Sequence, residues 1–481
     1  MAEKKTVCLL NDSFPPLIDG VSNVVVNYAR YVEKNHGHAM VVTPKVPGAD
    51  DSGYEFPVLR FPSIDTRQMM GYVTGVPYSP EIVRRIRDEK TDLLHLHCPM
   101  SSALLAKQVK DTLNLPLILT WHTKYDIDVR NAIHSKMLAD EAIRILIQNV
   151  NACDEVWTVS RGAGENLRSL GYEGDYIVME NGVDIPRGKV SRELEQTVCG
   201  GYDLPEGMPV FLFVGRLMWY KGLRLILDAM AAMKEEGREC RMVFVGGGGE
   251  EAEIKAYCEK LGLTDRCIFT GAVRDREALR AWYGRADLFL FPSTFDTNGL
   301  VVREAAACGT ASVLIEGSCA AEDVTDGRNG FLIEENWESL AAKLREVCEH
   351  PEAMERVGRT AQAELYLSWE DAVARAVERY DVVLDRFRSG AYKKKTAFLD
   401  FAQAQGKLMN VLMQVQDYQQ RWLEGIRSDG QEMLSNLASE RDMILESFRF
   451  DSDELRDRMS AVIDLVAGTN FRKDDSGDRE G

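Results

Sequence analysis

Two series of short apolar runs alternate with helical segments, and this repeated pattern restricts the possible folds more than any other feature of the chain. The first series covers residues 7–10, 39–43, 93–97, 117–120, 155–159 and 176–179, and the second covers 210–214, 242–245, 267–269, 288–291 and 311–314. Strands that are apolar throughout and alternate with helices are typical of parallel sheets covered on both faces. We therefore predict two α/β domains, each built on a parallel sheet.

The length of 481 residues fits two domains and an appendage. The segment 187–208 is polar and glycine-containing, and we interpret it as the linker. We place the first domain at residues 1–190, the second at 205–368 and a closing amphipathic helix at 369–389. Apolar residues at helical spacing predict a helical extension over 390–471, which either packs on the core, self-associates, or contacts a membrane or partner. The charged segment 472–481 is expected to be disordered.

Charge and cysteine content limit the partners and the compartment. A net charge of −18 argues against broad binding to nucleic acid. Two local basic patches, Arg84–Arg87 and Lys393–Lys395, fit a solvated face and a hinge as well as contact with anionic lipid. The 10 cysteines include no Cys-x-x-Cys pair, and no signal peptide or transmembrane run is visible. We expect a cytoplasmic protein, with the inner face of the membrane as a further location.

The segment from Ser293 to Glu304 carries the strongest chemical signal. It follows an apolar strand, turns at Asn298, Gly299 and Leu300, and opens a helix that Gly309 closes. Ligands of open α/β sheets bind at such strand ends, and the N–H groups of a helix start favour phosphate. Asp296 and Glu304 lie eight residues apart and can each serve a hydroxyl-bearing group, such as a sugar and a ribose. Alternatively, Glu304 merely caps or solvates the helix.

Cations accompany this segment. Gly215 ends the first strand of the second series, and Arg216 and Lys221 follow it. They could neutralise a diphosphate without a metal and stabilise it as it leaves. An ordinary surface pair with salt-bridge partners is the alternative.

The first series offers three further candidates at or near strand ends. Gly20 opens a helix and would let the backbone approach a ligand, while His97 and His122 each end a strand on the same side. A lone histidine is usually structural, but two at one edge indicate a site.

Together these stretches resemble the family-4 retaining glycosyltransferases, which have two Rossmann-like domains facing across a cleft in the GT-B arrangement. The resemblance covers residues 6–386 and includes 181–184 and 326–331. It implies that Glu304 holds the nucleotide ribose, Asp296 the donor sugar, and Arg216 and Lys221 the diphosphate. It also implies that Gly20, Asn298, Gly299 and Leu300 adjoin the donor and that His122 lies beside the reacting centre. Asp296 replaces the usual glutamate and Asn298 the usual phenylalanine.

The strand end Thr120 to Tyr125 is similar to that of bacterial diacylglycerol glucosyltransferases. The resemblance therefore places His97, His122, Lys124 and Tyr125 on the acceptor side. It implies metal-independent, retaining transfer of a hexose, most readily glucose from UDP-glucose, to a lipid such as 1,2-diacylglycerol. Two alternatives stay open: the same chemistry on a soluble sugar or polysaccharide, and a catalytically silent scaffold that binds nucleotide sugar.

Overall fold

The computed structural model describes residues 4–17, 19–66, 73–132 and 136–392. The predicted extension from residue 393 onward and the predicted disordered tail lie outside these ranges. Within the described part, no helix is long and apolar enough to cross a membrane.

A parallel sheet of seven described strands forms the first half of the chain. Its strands are β1 Lys5–Leu10, β2 Gly37–Pro44, β3 Val58–Phe61, β6 Leu93–Leu96, β7 Leu117–Trp121, β8 Glu155–Thr158 and β9 Ile177–Val178. They are arranged in the order β3-β2-β1-β6-β7-β8-β9. A separate antiparallel pair consists of β4 Ser63–Ile64 and β5 Thr74–Gly75. Because the seven strands are parallel, their carboxyl ends lie along one edge of the sheet.

The second half contains a parallel sheet of six described strands. These are β10 Val210–Val214, β11 Arg241–Val245, β12 Cys267–Gly271, β13 Leu288–Phe291, β14 Ala311–Ile315 and β15 Phe331–Ile333. Their order is β12-β11-β10-β13-β14-β15. Every residue of β10 and β13 is buried, as expected for central strands with helices on both faces.

Helices cover both sheets. They are α1 Gly20–Asn35, α2 Pro80–Asp88, α3 Ser101–Leu113, α4 Tyr125–Ala132, α5 Lys136–Asn151, α6 Arg161–Ser169, α7 Arg192–Cys199, α8 Leu223–Glu235, α9 Glu251–Lys260, α10 Arg276–Arg285, α11 Leu300–Ala307, α12 Trp337–Glu349, α13 Pro351–Glu364 and α14 Trp369–Arg388. Short 3₁₀ helices occupy Trp219–Lys221 and Cys319–Ala321.

The last described helix, α14, returns to the first sheet. Its buried face includes Trp369 and Tyr380, which belong to the same apolar cluster as Val7 and Trp157. The Tyr380 and Trp157 rings stack with their centroids 5.5 Å apart. A bidentate pair from Arg379 to Glu155, at 2.8 and 2.7 Å, fixes the middle of the helix. The closing helix therefore completes the core of the first half.

The chain crosses between the two halves twice, and the crossings lie side by side. Val183 forms a parallel bridge with Ser368, and its N–H donates to Leu367 O at 3.0 Å. A Cβ on Gly182 would lie 2.4 Å from the backbone nitrogen of Trp369. Only glycine therefore fits where the two crossings touch.

The predicted pair of parallel-sheet domains is confirmed, and the structure adds elements that the pattern did not reveal. Strands β3 and β15 are short, and their apolar runs are too brief to stand out from loops. The predicted linker contains α7, whose buried Cys199 joins the core of the second sheet. The domain boundaries stay predictions.

Candidate active site between the two sheets

Asp296 lies in the loop after β13 and is held by two side chains. Ser293, which is 1% exposed, donates to Asp296 Oδ2 at 2.7 Å. Lys221 Nζ donates to Asp296 Oδ1 at 2.5 Å. The carboxylate is thus fixed at the carboxyl edge of the second sheet, and its charge is already compensated by one lysine.

The two predicted cations differ in their surroundings. Lys221 ends a 3₁₀ helix, is 8% exposed, and places Nζ 5.6 Å from the centre of the Phe291 ring. Arg216 is exposed and forms no ion pair within the described ranges. A diphosphate at this edge would therefore meet one free guanidinium and one lysine that already has an anionic partner.

Glu304 lies within α11 and is nearly enclosed. Tyr283 donates to Glu304 Oε2 at 2.9 Å, and Arg276 approaches Oε1 at 3.3 Å. Burial raises the pKa of Glu304 even though the hydrogen bond from Tyr283 and the charge of Arg276 oppose this shift. Arg276 also lies 3.6 Å from Asp184, next to the chain crossing. Sequence spacing gave no signal for Arg276 or Tyr283, because they come from a different helix.

The turn before α11 has an open helix start. Gly299 has φ +58, and a Cβ there would lie 2.8 Å from Ala320 Cβ. No side chain caps α11, and the N–H groups of Leu300 and Val301 are available to an anion, whereas the Val302 N–H donates to Gly299 O at 2.8 Å. The Asn298 Nδ2 atom is buried and has no partner among the described residues. The turn thus presents several donors and no acidic side chain in its first helical turn.

His122 and His97 meet at the carboxyl edge of the first sheet. His122 is 6% exposed and His97 is fully buried. His97 Nδ1 lies 2.9 Å from His122 Nε2. Burial lowers the pKa of both rings, to about 3 for His122, so both are neutral at pH 7. Because His97 is fully buried, it would act on an acceptor only indirectly, through its contact with His122.

The other predicted residues of the first half lie close by. Tyr125 is 5% exposed, packs edge-on against Trp121 and donates to His97 O at 3.4 Å. Lys124 Nζ donates across the cleft to Thr294 O at 3.3 Å. Gly20 is the first residue of α1, is exposed, and has open space where a Cβ would lie. Their roles toward a ligand stay predictions.

Hydrogen bonds join the two sheet edges directly, and the sequence did not predict them. Thr297 Oγ1 donates to His122 O at 2.8 Å, and Ser160 Oγ donates to Thr297 O at 2.5 Å. The loop that carries Asp296 is therefore hydrogen-bonded directly to the main chain of His122. Thr297 is a common polar residue in loops, so nothing in the sequence distinguishes it.

A cavity of about 470 Å³ lies on the other side of the Asn298 turn. Ion pairs across the halves border it. Glu322 of the second half accepts from the N–H groups of Arg161 and Gly162 at the start of α6. Arg303 of α11 contacts Glu180 of the first half. These contacts hold the halves together in the described form.

No group of three or more His, Cys, Asp or Glu side chains in the described ranges could hold a metal ion.

Two protein families match the two halves. Residues 18–187 match the family described as Glycosyltransferase Family 4, and residues 200–364 match Glycosyl transferases group 1. The first match contains every strand of the first sheet except β1, and the second match contains the whole second sheet.

Individual proteins are similar over most of the described chain. The alpha-monoglucosyldiacylglycerol synthase of Acholeplasma laidlawii is 23% identical over 367 residues, which are 74% of this chain and 91% of that protein. The enzyme of the same name from Streptococcus pneumoniae is 23% identical and covers 63% of this chain and 69% of its own length. The structure of Anabaena HepE in complex with UDP is 20% identical, has a TM-score of 0.63, and covers 79% of this chain and 100% of HepE.

Proposed function

Because the chain belongs to the GT-B glycosyltransferases that join a family 4 domain to a group 1 domain, we propose that it transfers a hexose from a nucleotide-diphosphate sugar to a membrane lipid. Glucose from UDP-glucose is the favoured donor and 1,2-diacylglycerol the favoured acceptor. The names of the two similar synthases support this choice. The reaction is proposed to retain the anomeric configuration and to need no metal.

The arrangement around Arg216 carries the proposal for the donor. An exposed guanidinium without an ion-pair partner among the described residues lies at the strand end that also leads to Lys221. The open start of α11 follows the neighbouring strand β13. Cations and free N–H groups at adjacent strand ends are what a diphosphate requires. Glu304 would accept from ribose hydroxyls, and Asp296 from a hydroxyl of the sugar.

Catalysis would depend on charge that develops as the donor breaks. When the bond between the sugar and the diphosphate opens, negative charge grows on the diphosphate beside Arg216 and Lys221. The acceptor hydroxyl then forms the new bond to the anomeric carbon on the same face. Its proton passes to a diphosphate oxygen, so atoms and charge balance without a protein nucleophile. The protein would position the reactants and stabilise the departing anion.

A basic helix of the first half supports a lipid acceptor. Ile82, Val83 and Ile86 bury the inner face of α2, which leaves Arg84, Arg85 and Arg87 exposed. Tyr78, just before this helix, is 68% exposed. Each basic residue near an anionic membrane contributes about 1 kcal/mol of attraction. Glu81, Asp88 and Glu89 are exposed on the same segment and weaken this attraction, so contact would depend on a locally basic face.

The test is mass-spectrometric detection of product after incubation with UDP-glucose and liposomes that contain diacylglycerol and anionic lipid. The parent should form a glucosylated lipid, and Lys221→Ala should form it about 100-fold more slowly or not at all. Lys260→Ala is the matched control, because Lys260 is exposed at the end of α9 remote from the strand ends. Nuclear magnetic resonance of the anomeric proton reports retention.

Other outcomes of this experiment lead to other conclusions. Release of UDP and glucose without glycolipid would reject the lipid acceptor and favour a soluble sugar or polysaccharide. Donor binding without transfer or hydrolysis across a panel of donors and acceptors would favour a silent nucleotide-sugar-binding protein. If liposomes do not retain the protein and diacylglycerol leaves turnover unchanged, membrane contact at the inner face is rejected as well.

A further inference from the structure

Three histidines form a continuous buried group at the carboxyl edge of the first sheet. His95 and His97 are two residues apart around the end of β6, so that they project from the same face. His122 follows the neighbouring strand β7. His95 uses both ring nitrogens, with Nδ1 2.7 Å from Tyr380 OH and Nε2 2.7 Å from Thr120 Oγ1.

The His97 and His122 rings meet edge to edge. Their planes differ by 18°, their centroids are 5.2 Å apart, and the facing nitrogens are 2.9 Å apart. These values describe an in-plane hydrogen bond between two imidazoles. Because both rings are neutral, one of them must donate and the other must accept.

The surroundings of His97 decide the direction of this hydrogen bond. His97 Nε2 is buried and has no partner among the described residues. A proton on that atom would leave a buried N–H donor without an acceptor. An unpaired lone pair at the same place costs less free energy. The proton of His97 therefore belongs on Nδ1, which donates to His122 Nε2. His122 must then carry its own proton on Nδ1.

We propose that His97 is a positioning residue that fixes His122 in the Nδ1–H tautomer, so that His122 offers a hydrogen-bond donor, and no base, to the sugar in the cleft. The identity of the ligand rests on the proposed function; the tautomer does not. The ligand atom must have a lone pair, such as a hydroxyl oxygen of the hexose. Because the Nε2 lone pair is used, His122 cannot take the proton of the acceptor, in agreement with proton transfer to the diphosphate.

Packing keeps His97 in this role. Its ring lies 5.3 Å from that of Tyr28 and 4.1 Å from that of His95. His95 is in turn held by its two hydrogen bonds. The main chain of His122 is fixed separately, since its carbonyl accepts from Thr297 of the second half. Ring and backbone of His122 are thus positioned by different elements.

The first test is spectroscopic and needs no activity. In full-length protein labelled with 15N-histidine, long-range proton–nitrogen correlations report which ring nitrogen carries the proton, and His122→Asn identifies the His122 signals. We expect protonated Nδ1 on His122 in the parent at pH 7. Protonated Nε2 on His122 in the parent would overturn the proposal.

Two substitutions separate the hydrogen bond from simple packing. His97→Asn keeps an N–H donor at the place of Nδ1, whereas His97→Leu fills similar space without one. We expect His122 to keep the Nδ1–H tautomer in His97→Asn and to lose it in His97→Leu. Retention of the tautomer in His97→Leu would overturn the proposal.

Kinetics supply a second readout. For His97→Leu we expect kcat to fall about tenfold with little change in KM for the nucleotide sugar. For His97→Asn we expect a kcat close to that of the parent. His350→Leu is the control, since its side chain is 64% exposed. Equal losses in His97→Asn and His97→Leu would indicate a packing role and overturn the proposal. An Nδ1–H signal in a protein that transfers no sugar would reject the proposed function and leave the tautomer intact.

Discussion

At the scale of single residues, the site is a set of charges and donors that are partly satisfied before a ligand arrives. Lys221 is paired with Asp296, and Glu304 with Tyr283 and Arg276. Around the second sheet edge, Arg216 has no ion-pair partner and Asn298 Nδ2 no hydrogen-bond partner among the described residues. A ligand would therefore bind first where partners are missing and then share the existing pairs.

Replacing Lys221 by alanine should reduce kcat/KM for the nucleotide sugar by about 100-fold or more, because a cation beside the departing diphosphate is lost. The change also leaves Asp296 without its compensating charge. Release of UDP is the measurement, with Lys260→Ala as control. Turnover equal to that of the parent would show that Lys221 does not contact the diphosphate.

Glu304→Gln should raise KM for the nucleotide sugar by about tenfold with a smaller change in kcat, because an uncharged amide accepts ribose hydroxyls less strongly. Gln retains the shape of Glu304 and can still accept from Tyr283. Steady-state kinetics with varied donor measure the split. An unchanged KM would remove Glu304 from the ribose site.

The histidine group should make the protein less stable as the solution becomes more acidic. Burial lowers the pKa values of His95, His97 and His122, to about 3 for His122, against an unfolded value of about 6.5. Below pH 6.5 the unfolded chain binds protons that the folded chain does not. The stability present above pH 6.5 is therefore lost as the pH falls, by up to about 1.4 kcal/mol per pH unit for each proton.

Urea unfolding at pH 7 and pH 5 measures this loss. His97→Leu removes one of the three histidines. The free energy of unfolding of this variant should therefore fall less between pH 7 and pH 5 than that of the parent. Equal losses in the two proteins would show that His97 does not contribute.

At the scale of elements, strand ends and helix starts provide the site, and these were the most predictable parts. Fully apolar runs such as β10 and the helix after Gly299 are visible in the sequence because their patterns are local. The partners of Glu304 and His122 are not, because Arg276, Tyr283 and Thr297 reach them only after helices and sheets pack. Short strands such as β15 were missed for lack of a local pattern.

Gly299→Ala should destabilise the protein by about 1–3 kcal/mol, because φ +58 strains a residue with a Cβ and that atom would press on Ala320. It should also weaken donor binding by displacing the start of α11. Gly249→Ala is the control, since open space surrounds its Cβ. Thermal unfolding and UDP titration provide the two readouts. Equal unfolding temperatures and equal UDP affinities for Gly299→Ala and Gly249→Ala would contradict the expected strain.

At the scale of the whole molecule, the halves are joined by polar contacts that can separate. Glu322 accepts from the Arg161 and Gly162 N–H groups, and Ser160 and Lys124 donate to loop carbonyls of the second half. Such contacts are exposed in part and exchange readily with water. We therefore expect the halves to open and close around the donor.

Glu322→Ala should favour the open form, because the amide groups at the start of α6 lose their acceptor. Without nucleotide sugar, small-angle scattering should show a larger radius of gyration for Glu322→Ala than for the parent. Once the donor is bound, the two radii should differ less. Asp326→Ala is the control, because Asp326 pairs with Lys343 within the second half. Identical scattering of parent and Glu322→Ala, with and without donor, would contradict closure.

The side-by-side crossings at Val183 and Ser368 also bear on how such chains diversify. Everything between them leaves and re-enters the first half at a single hydrogen-bonded junction. Exchanging the intervening stretch between relatives would therefore replace the half proposed to bind the donor, while the half proposed to bind the acceptor, completed by α14, keeps its own core. Recombination at this junction offers a route to new pairings of sugar and acceptor without redesigning either fold.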